Sequence, residues 1–199
     1  MRTEVLIGLI LALPALAHAQ IVPIRLETGS RIWLQGTAGP VHFSCQATQV
    51  EVTGHVSLRA HGHGHDQVEL FVTIPVASMD CGLAAMNKDL RAALKADRHP
   101  TIRYALGRYA VSQPYRIAQW METYGQLSVA GETRPVNIRV LGQPDPGTGM
   151  RLTGHLPVDM TDFKVVPPSP MLGLVKVNKE LNVYFDVVFR ADRQSFSVN

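Results

Sequence analysis

The sequence predicts an all-β, antiparallel domain carrying one inserted helix. Three observations lead there. Apolar residues recur with period two through most of the chain, turn-forming residues fall between the alternating runs, and one stretch switches to a helical period. Successive side chains of a strand point to opposite faces. Strict alternation therefore describes a strand with one buried and one wet face, the usual pattern of antiparallel sheet.

Residues 1–19 stand apart from this pattern. Arg2 supplies a positive charge, an apolar run from Val5 to Leu16 follows, and Ala17-His18-Ala19 offers the small-x-small pattern of a signal-peptidase site. We read a cleaved signal peptide, with Gln20 as the mature N-terminus and residues 20–199 as a single domain. The run is shorter than the roughly 20 apolar residues of a spanning helix, no later segment is longer, and no Cys at the cut could take a lipid. A periplasmic or secreted protein without a stable membrane anchor is expected, with transient membrane contact left open. The formal charge of +3 is spread along the chain with no Lys/Arg run, so no nucleic-acid partner is expected.

The strands follow in order. Val41, Phe43, Cys45 and Ala47 alternate with His42, Ser44, Gln46 and Thr48. Val68, Leu70, Val72, Ile74 and Val76 share a face opposite Glu69 and Thr73. Ile102, Tyr104 and Leu106 alternate with Thr101, Arg103 and Ala105. Val136, Ile138 and Val140 repeat the pattern, as do Val183, Phe185, Val187 and Phe189. Turn signals fall at Gly36–Pro40, His61–Asp66, Ala130–Thr133 and Gln143–Gly149, a spacing typical of a sandwich or barrel. There is no internal repeat.

The helical stretch is marked by Leu83, Met86, Leu90 and Leu94, which step by three or four residues, with Asn87, Lys88, Arg91 and Lys95 elsewhere around it. We place a helix at about residues 82–96, with Asp80 as its N-cap and Pro100 barring continuation. Such a helix packs across a sheet or plugs the end of a barrel. Pro167-Pro168-Ser169-Pro170 forms a second irregular insertion that cannot pair inside a sheet, followed by Met171-Leu172-Gly173 as a short turn or helical cap.

The chain has two cysteines, Cys45 and Cys81. In an oxidising compartment a disulfide between them is expected, two buried free thiols being the alternative. Loop entropy sets an upper value of about 4 kcal/mol for its contribution. No C-x-x-C spacing points to a redox or metal pair.

Together these landmarks resemble the YceI-like family. The resemblance begins at Ser30-Arg31-Ile32-Trp33-Leu34-Gln35-Gly36-Thr37 with Phe43-Ser44-Cys45. It continues through Val76–Gly82, Met86-Asn87, Ala93-Leu94-Lys95 and His99-Pro100-Thr101-Ile102, and then Gly125–Gly131 with Thr133-Arg134-Pro135-Val136. Met160-Thr161-Asp162-Phe163, Pro167-Pro168, Met171-Leu172-Gly173 and Lys176-Val177 are similar to its C-terminal signature. Lys164 departs from it, since the family usually has Gly after the aromatic of the Thr-Asp-aromatic motif. The resemblance covers about residues 22–190. It implies an extended, lipocalin-like antiparallel barrel of about eight strands whose apolar interior holds a polyisoprenoid or another long-chain amphiphile.

On that basis the expected function is binding of a long apolar small molecule, such as a polyisoprenoid, isoprenoid quinone or fatty-acid derivative, for transport, storage or sequestration. No other cofactor is expected, and the protein would be a monomer or homodimer. The interior candidates are Val72, Ile74, Ile102, Tyr104, Val136, Ile138, Phe163, Met171, Leu172 and Phe185. Alternation alone does not separate a barrel filled by side chains from one that holds a ligand. Trp33 shares that ambiguity.

Enzyme signatures are absent: no G-x-S-x-G, H-E-x-x-H, P-loop or dinucleotide fingerprint occurs. No catalytic residue is assigned. Asp159 and Asp162 read as turn chemistry. His61, His63 and His65 alternate with glycine and are weak metal candidates, because ligands need ordered support that Gly neighbours do not give. A metal-handling or stress-response accessory acting through them is the alternative function.

Overall fold

The computed structural model describes residues 20–58, 67–111, 118–146, 149–169 and 176–191. Eleven strands form one sheet: β1 (Gln20–Leu26), β2 (Arg31–Ala38), β3 (Val41–Ala47), β4 (Glu51–Leu58), β5 (Gln67–Pro75), β6 (Met79–Asp80), β7 (Thr101–Val111), β8 (Gln119–Val129), β9 (Glu132–Asp145), β10 (Gly149–Asp159) and β11 (Glu180–Ala191). One helix, α1 (Ala84–Ala93), lies between β6 and β7, and 3-10 turns span Val76–Ser78 and Met160–Phe163.

Eight strands close a ring in the order β1-β4-β5-β7-β8-β9-β10-β11, with β11 returning to β1. The pairing is antiparallel, and the expected eight-stranded, lipocalin-like barrel is the observed fold. The other three strands branch from it. Asn182–Asp186 of β11 pair with β2, while Phe189–Ala191 of the same strand pair with β1. β2 then pairs with β3, and β3 with the short β6.

Several strands run further than the turn signals predict. Gln143–Asp145 still belong to β9, with Pro144 opposite Met150, because the ladder with β10 continues past the residues that look like a loop. Likewise β2 reaches Ala38, leaving Gly39-Pro40 as the turn. The β8–β9 connection is tight: Ala130 and Gly131 both have positive φ, 50° and 87°, the geometry that matches strand twist in two-residue hairpins. The His61–Asp66 segment lies outside the described residues.

Two expectations about the helix need correction. It spans Ala84–Ala93 rather than 82–96, and Leu83, not Asp80, occupies the N-cap position without a side-chain bond. Asp80 is still in the sheet, because Met79 and Asp80 pair with Ala47 and Gln46. Its carboxylate instead accepts from the Asn87 side-chain amide at 3.0 Å and the Gly82 N–H at 2.9 Å. These bonds hold it below the usual carboxylate range. Asn87 in turn accepts from the Cys81 N–H at 2.7 Å. At the other end the helix stops at Leu94 because Lys95 turns left-handed (φ 53°), well before Pro100.

The helix closes one end of the barrel. Leu94 is buried with Val76, Ala130, Met160, Phe163 and Val165, and Leu90 and Ala93 pack against them. These residues come from the end of β5, the β8–β9 turn and the exit from β10, so a single apolar face of α1 covers three strand ends. The disulfide expected from the sequence is present. Cys45 of β3 is bonded to Cys81 with an S–S distance of 2.01 Å, which ties the branch strands to the approach of the helix.

Candidate functional site

The inward faces of the strands do not meet. They enclose a cavity of about 710 Å³, within the range of small-molecule sites and several times larger than a packing defect. β5 contributes Leu70, Val72 and Ile74; β7 contributes Ile102, Tyr104 and Leu106; β11 contributes Val183, Phe185, Val187 and Phe189. α1 adds Met86 and Leu90 from the closed end, and Val41, Phe43 and Pro168 border the chamber from the β2–β3 hairpin and the Pro-rich segment.

The sequence candidates fall in three places. Val72, Ile74, Ile102, Tyr104, Ile138, Phe163 and Phe185 all line the chamber. Val136 is on the same face of β9 but packs into the wall against Met121, Ile138 and Val140. Met171 and Leu172 lie outside the described residues. Trp33 also borders the chamber, and its ring stacks on Tyr184 at a centroid distance of 5.5 Å. Leu152, Leu156 and Val158 of β10 also line the cavity and were not singled out from the sequence. Their spacing of two and four residues is the signal that would have found them.

Glycines on the inward face shape the chamber. A Cβ at Gly154 would lie 2.6 Å from Phe185 Cζ, and one at Gly125 would lie 2.6 Å from Tyr104 Cε2. Each aromatic ring therefore lies flat over the backbone of the neighbouring strand. A side chain beneath it would tip the ring into the cavity.

Among the described residues, polar groups in the wall are few: His42, Ser44, Asp89, Tyr104 and Thr123. Thr123 donates from Oγ1 to the Ile138 carbonyl at 3.0 Å. The Tyr104 hydroxyl oxygen is buried and, among the described residues, has no hydrogen-bond partner within bonding distance. Burial pushes its pKa up, and the nearby Thr123 hydroxyl opposes this only in part. Among the described residues of the wall there is no Lys or Arg.

Charge is arranged on the outside instead. Asp186 accepts two bonds from Arg151, from Nε at 2.7 Å and from Nη2 at 2.6 Å, with Arg31 Nη2 at 3.9 Å. Arg151 holds the Asp186 carboxyl below its ordinary range, and Arg31 adds to the effect. The bidentate pair clips β10 to β11. Asp159, expected as turn chemistry, accepts from the Thr161 N–H at 2.9 Å and from Lys179 Nζ at 2.6 Å. Among the described residues no group of three or more His, Cys, Asp or Glu side chains could hold a metal ion. His61, His63 and His65 lie outside them. Among those residues, too, no helix is long and apolar enough to cross a membrane.

A closed antiparallel barrel, capped by a helix at one end and hollow with an apolar wall, defines a lipocalin-like class of protein. The YceI-like domain matches residues 29–189, and the chain belongs to that family. Among solved structures, Burkholderia cenocepacia BcnA is similar at 18% identity and a TM-score of 0.64, over 80% of this chain and 95% of that one. A polyisoprenoid binding domain from Saccharophagus degradans, implicated in plant cell wall breakdown, matches at 12% identity and a TM-score of 0.67, over 88% and 100% of the two chains. The Campylobacter jejuni YceI protein matches at 14% identity and 0.57, over 75% and 84%. At these identities the likeness is one of fold. No curated protein matches the sequence.

Proposed function

We propose that this protein is an exported carrier or sequestering protein that holds one long apolar molecule inside its barrel and catalyses no reaction. The observation that carries the reading is the chamber itself, about 710 Å³ with an almost wholly apolar wall. A close-packed interior keeps few voids larger than a water molecule. A void of this size would cost a folded protein a great deal of packing if it had no occupant.

Its volume sets the scale of the ligand. A cavity of about 150 Å³ accommodates a six-carbon ring, so this chamber matches a chain on the order of 25–30 carbons. Polyisoprenoids, isoprenoid quinones and long fatty-acid derivatives are of that size. The binding named for the Saccharophagus degradans domain, a barrel of the same fold, supports the class. Each methylene buried contributes about 0.8 kcal/mol, enough over such a chain to offset association and ordering costs without dense polar recognition.

The Cys45–Cys81 disulfide supports an oxidising, extracytoplasmic location, and residues 1–19 carry the export pattern. Periplasm and medium both fit. A carrier for such a ligand would collect it from a membrane by transient contact.

The test is direct. The exported protein is purified without detergent, extracted with organic solvent, and the extract is analysed by mass spectrometry. A stoichiometric molecule with a chain of the expected length supports the reading. An extract free of lipid, from protein that also fails to take up polyprenols or quinones, refutes it.

A further inference from the structure

We propose that the ligand carries a neutral oxygen acceptor, a carbonyl or a hydroxyl, that takes a hydrogen bond from the Tyr104 hydroxyl inside the barrel. This rests on the carrier reading above and narrows it from long apolar molecules in general to oxygenated ones.

Three observations place the donor. The Tyr104 hydroxyl is buried without a partner in bonding distance among the described residues, in a wall where almost every other described group is hydrocarbon. Buried hydroxyls are nearly always satisfied, so a persistent orphan calls for an explanation. Its polar neighbour Thr123 spends its own hydrogen on the Ile138 carbonyl, so between the two hydroxyls only Tyr104 could donate, and they stand too far apart for a bond. The Tyr104 ring covers the backbone of β8. It lies over Gly125, where a Cβ would come within 2.6 Å of Cε2 and 2.7 Å of Cζ. A phenylalanine would cover the same glycine with the same apolar surface and leave nothing unsatisfied.

The surroundings select the chemistry of the acceptor. A carboxylate or phosphate beside Tyr104 would be a buried charge, and among the described residues of the wall there is no Lys or Arg to pair it. The ionisable side chains His42 and Asp89 stand on β3 and α1, which do not pair with β7. The raised pKa of the phenol keeps it a donor at every physiological pH. A ketone, quinone carbonyl, ester or alcohol fits this environment. A plain hydrocarbon gains nothing from it.

The test compares 2-nonadecanone with nonadecane, a methyl ketone and an alkane of equal length, as competitors of a fluorescent apolar dye bound to the delipidated exported protein. The wild type should prefer the ketone by about five- to tenfold, the worth of one hydrogen bond in an apolar site. Tyr104→Phe should remove that preference, bringing the affinity for 2-nonadecanone down to that for nonadecane. A second readout needs no variant: the infrared carbonyl band of bound 2-nonadecanone should lie at lower frequency than in hexadecane. Equal affinity for both probes in the wild type, or a preference that survives in Tyr104→Phe, overturns the proposal and leaves the carrier reading intact. Failure of both probes and of every extracted lipid to bind overturns the two together.

Discussion

Replacing Val72 by Trp distinguishes a hollow barrel from a filled one most sharply. Val72 sits on β5 between Val52 of β4 and Tyr104 of β7, with its side chain on the chamber wall. The substitution adds about seven heavy atoms. At about 150 Å³ per six-carbon ring they take up about a quarter of the 710 Å³ available. In a filled core such overpacking costs typically about 1–3 kcal/mol, or roughly 2–12 °C in Tm for a domain of this size. In the hollow barrel the indole enters open space, and stability should change by less than about 1 kcal/mol. The cost then falls on the ligand. Losing about seven methylene positions at about 0.8 kcal/mol each removes about 5–6 kcal/mol of binding, a factor above about a thousand for a chain that fills the chamber. Chains of about half that length should bind almost unchanged. Thermal melts paired with displacement assays over a series of polyprenols read both quantities. A Tm that falls by many degrees, together with wild-type affinity that does not grow with chain length, would refute the reasoning.

Four further outcomes are expected. Changing Cys45 and Cys81 to Ser should lower stability by up to about 4 kcal/mol in denaturant unfolding, and alkylation without reduction should label neither thiol in the native protein. Asp159 is held down to about 2 by Lys179 first and by the Thr161 hydroxyl and N–H next. Its contribution is therefore present above the ordinary value of 3.8 and lost as pH falls toward 2, and Asp159→Asn should flatten the acid limb of a stability-versus-pH curve. Lys164 adopts a left-handed backbone (φ 52°), so Lys164→Gly should relieve about 1 kcal/mol of strain. The exposed contact to Glu132 that it gives up is worth little, and chemical denaturation should show a net gain or no loss. Finally, Gly154→Ala would place a Cβ 2.6 Å from Phe185 Cζ and 3.0 Å from the Arg139 carbonyl oxygen. Tipping the ring inward should shorten the longest chain the barrel accepts, which the same displacement series would report.

Alternation made the barrel legible, because side-chain direction in a strand is a local property with a fixed period. The inward residues of β5, β7, β9 and β11 could be named from the sequence for that reason. Closure and volume are not local. Val136 obeys the same alternation as Ile138, yet it packs into the wall cluster that contains Ile138, while Ile138 itself faces the chamber. The difference is set by which strand lies opposite and by where α1 covers the end. The short β6 was invisible for a related reason. Met79 and Asp80 have no strand pattern of their own and are held in the sheet by pairing with β3 and by the adjacent disulfide. That pairing is also why Asp80 could not cap the helix. Lys164 is the reverse case. The sequence flagged it as standing where relatives have glycine, and the left-handed backbone there supplies the reason.

The double pairing of β11 has a consequence for how the molecule comes into being. Its last residues, Phe189–Ala191, meet Ile24–Leu26, so the first and last strands form the seam of the cylinder. Until β11 has emerged, β10 and β1 remain open edges, each exposing a row of unpaired amides and carbonyls. The hairpins between them can form early from near neighbours, while the seam has to wait for the most distant contact in the chain. Closing it also divides the interior from the solvent. A long apolar guest binds the closed cylinder and not the open sheet, so occupancy of the chamber stabilises the same contacts that hold the seam.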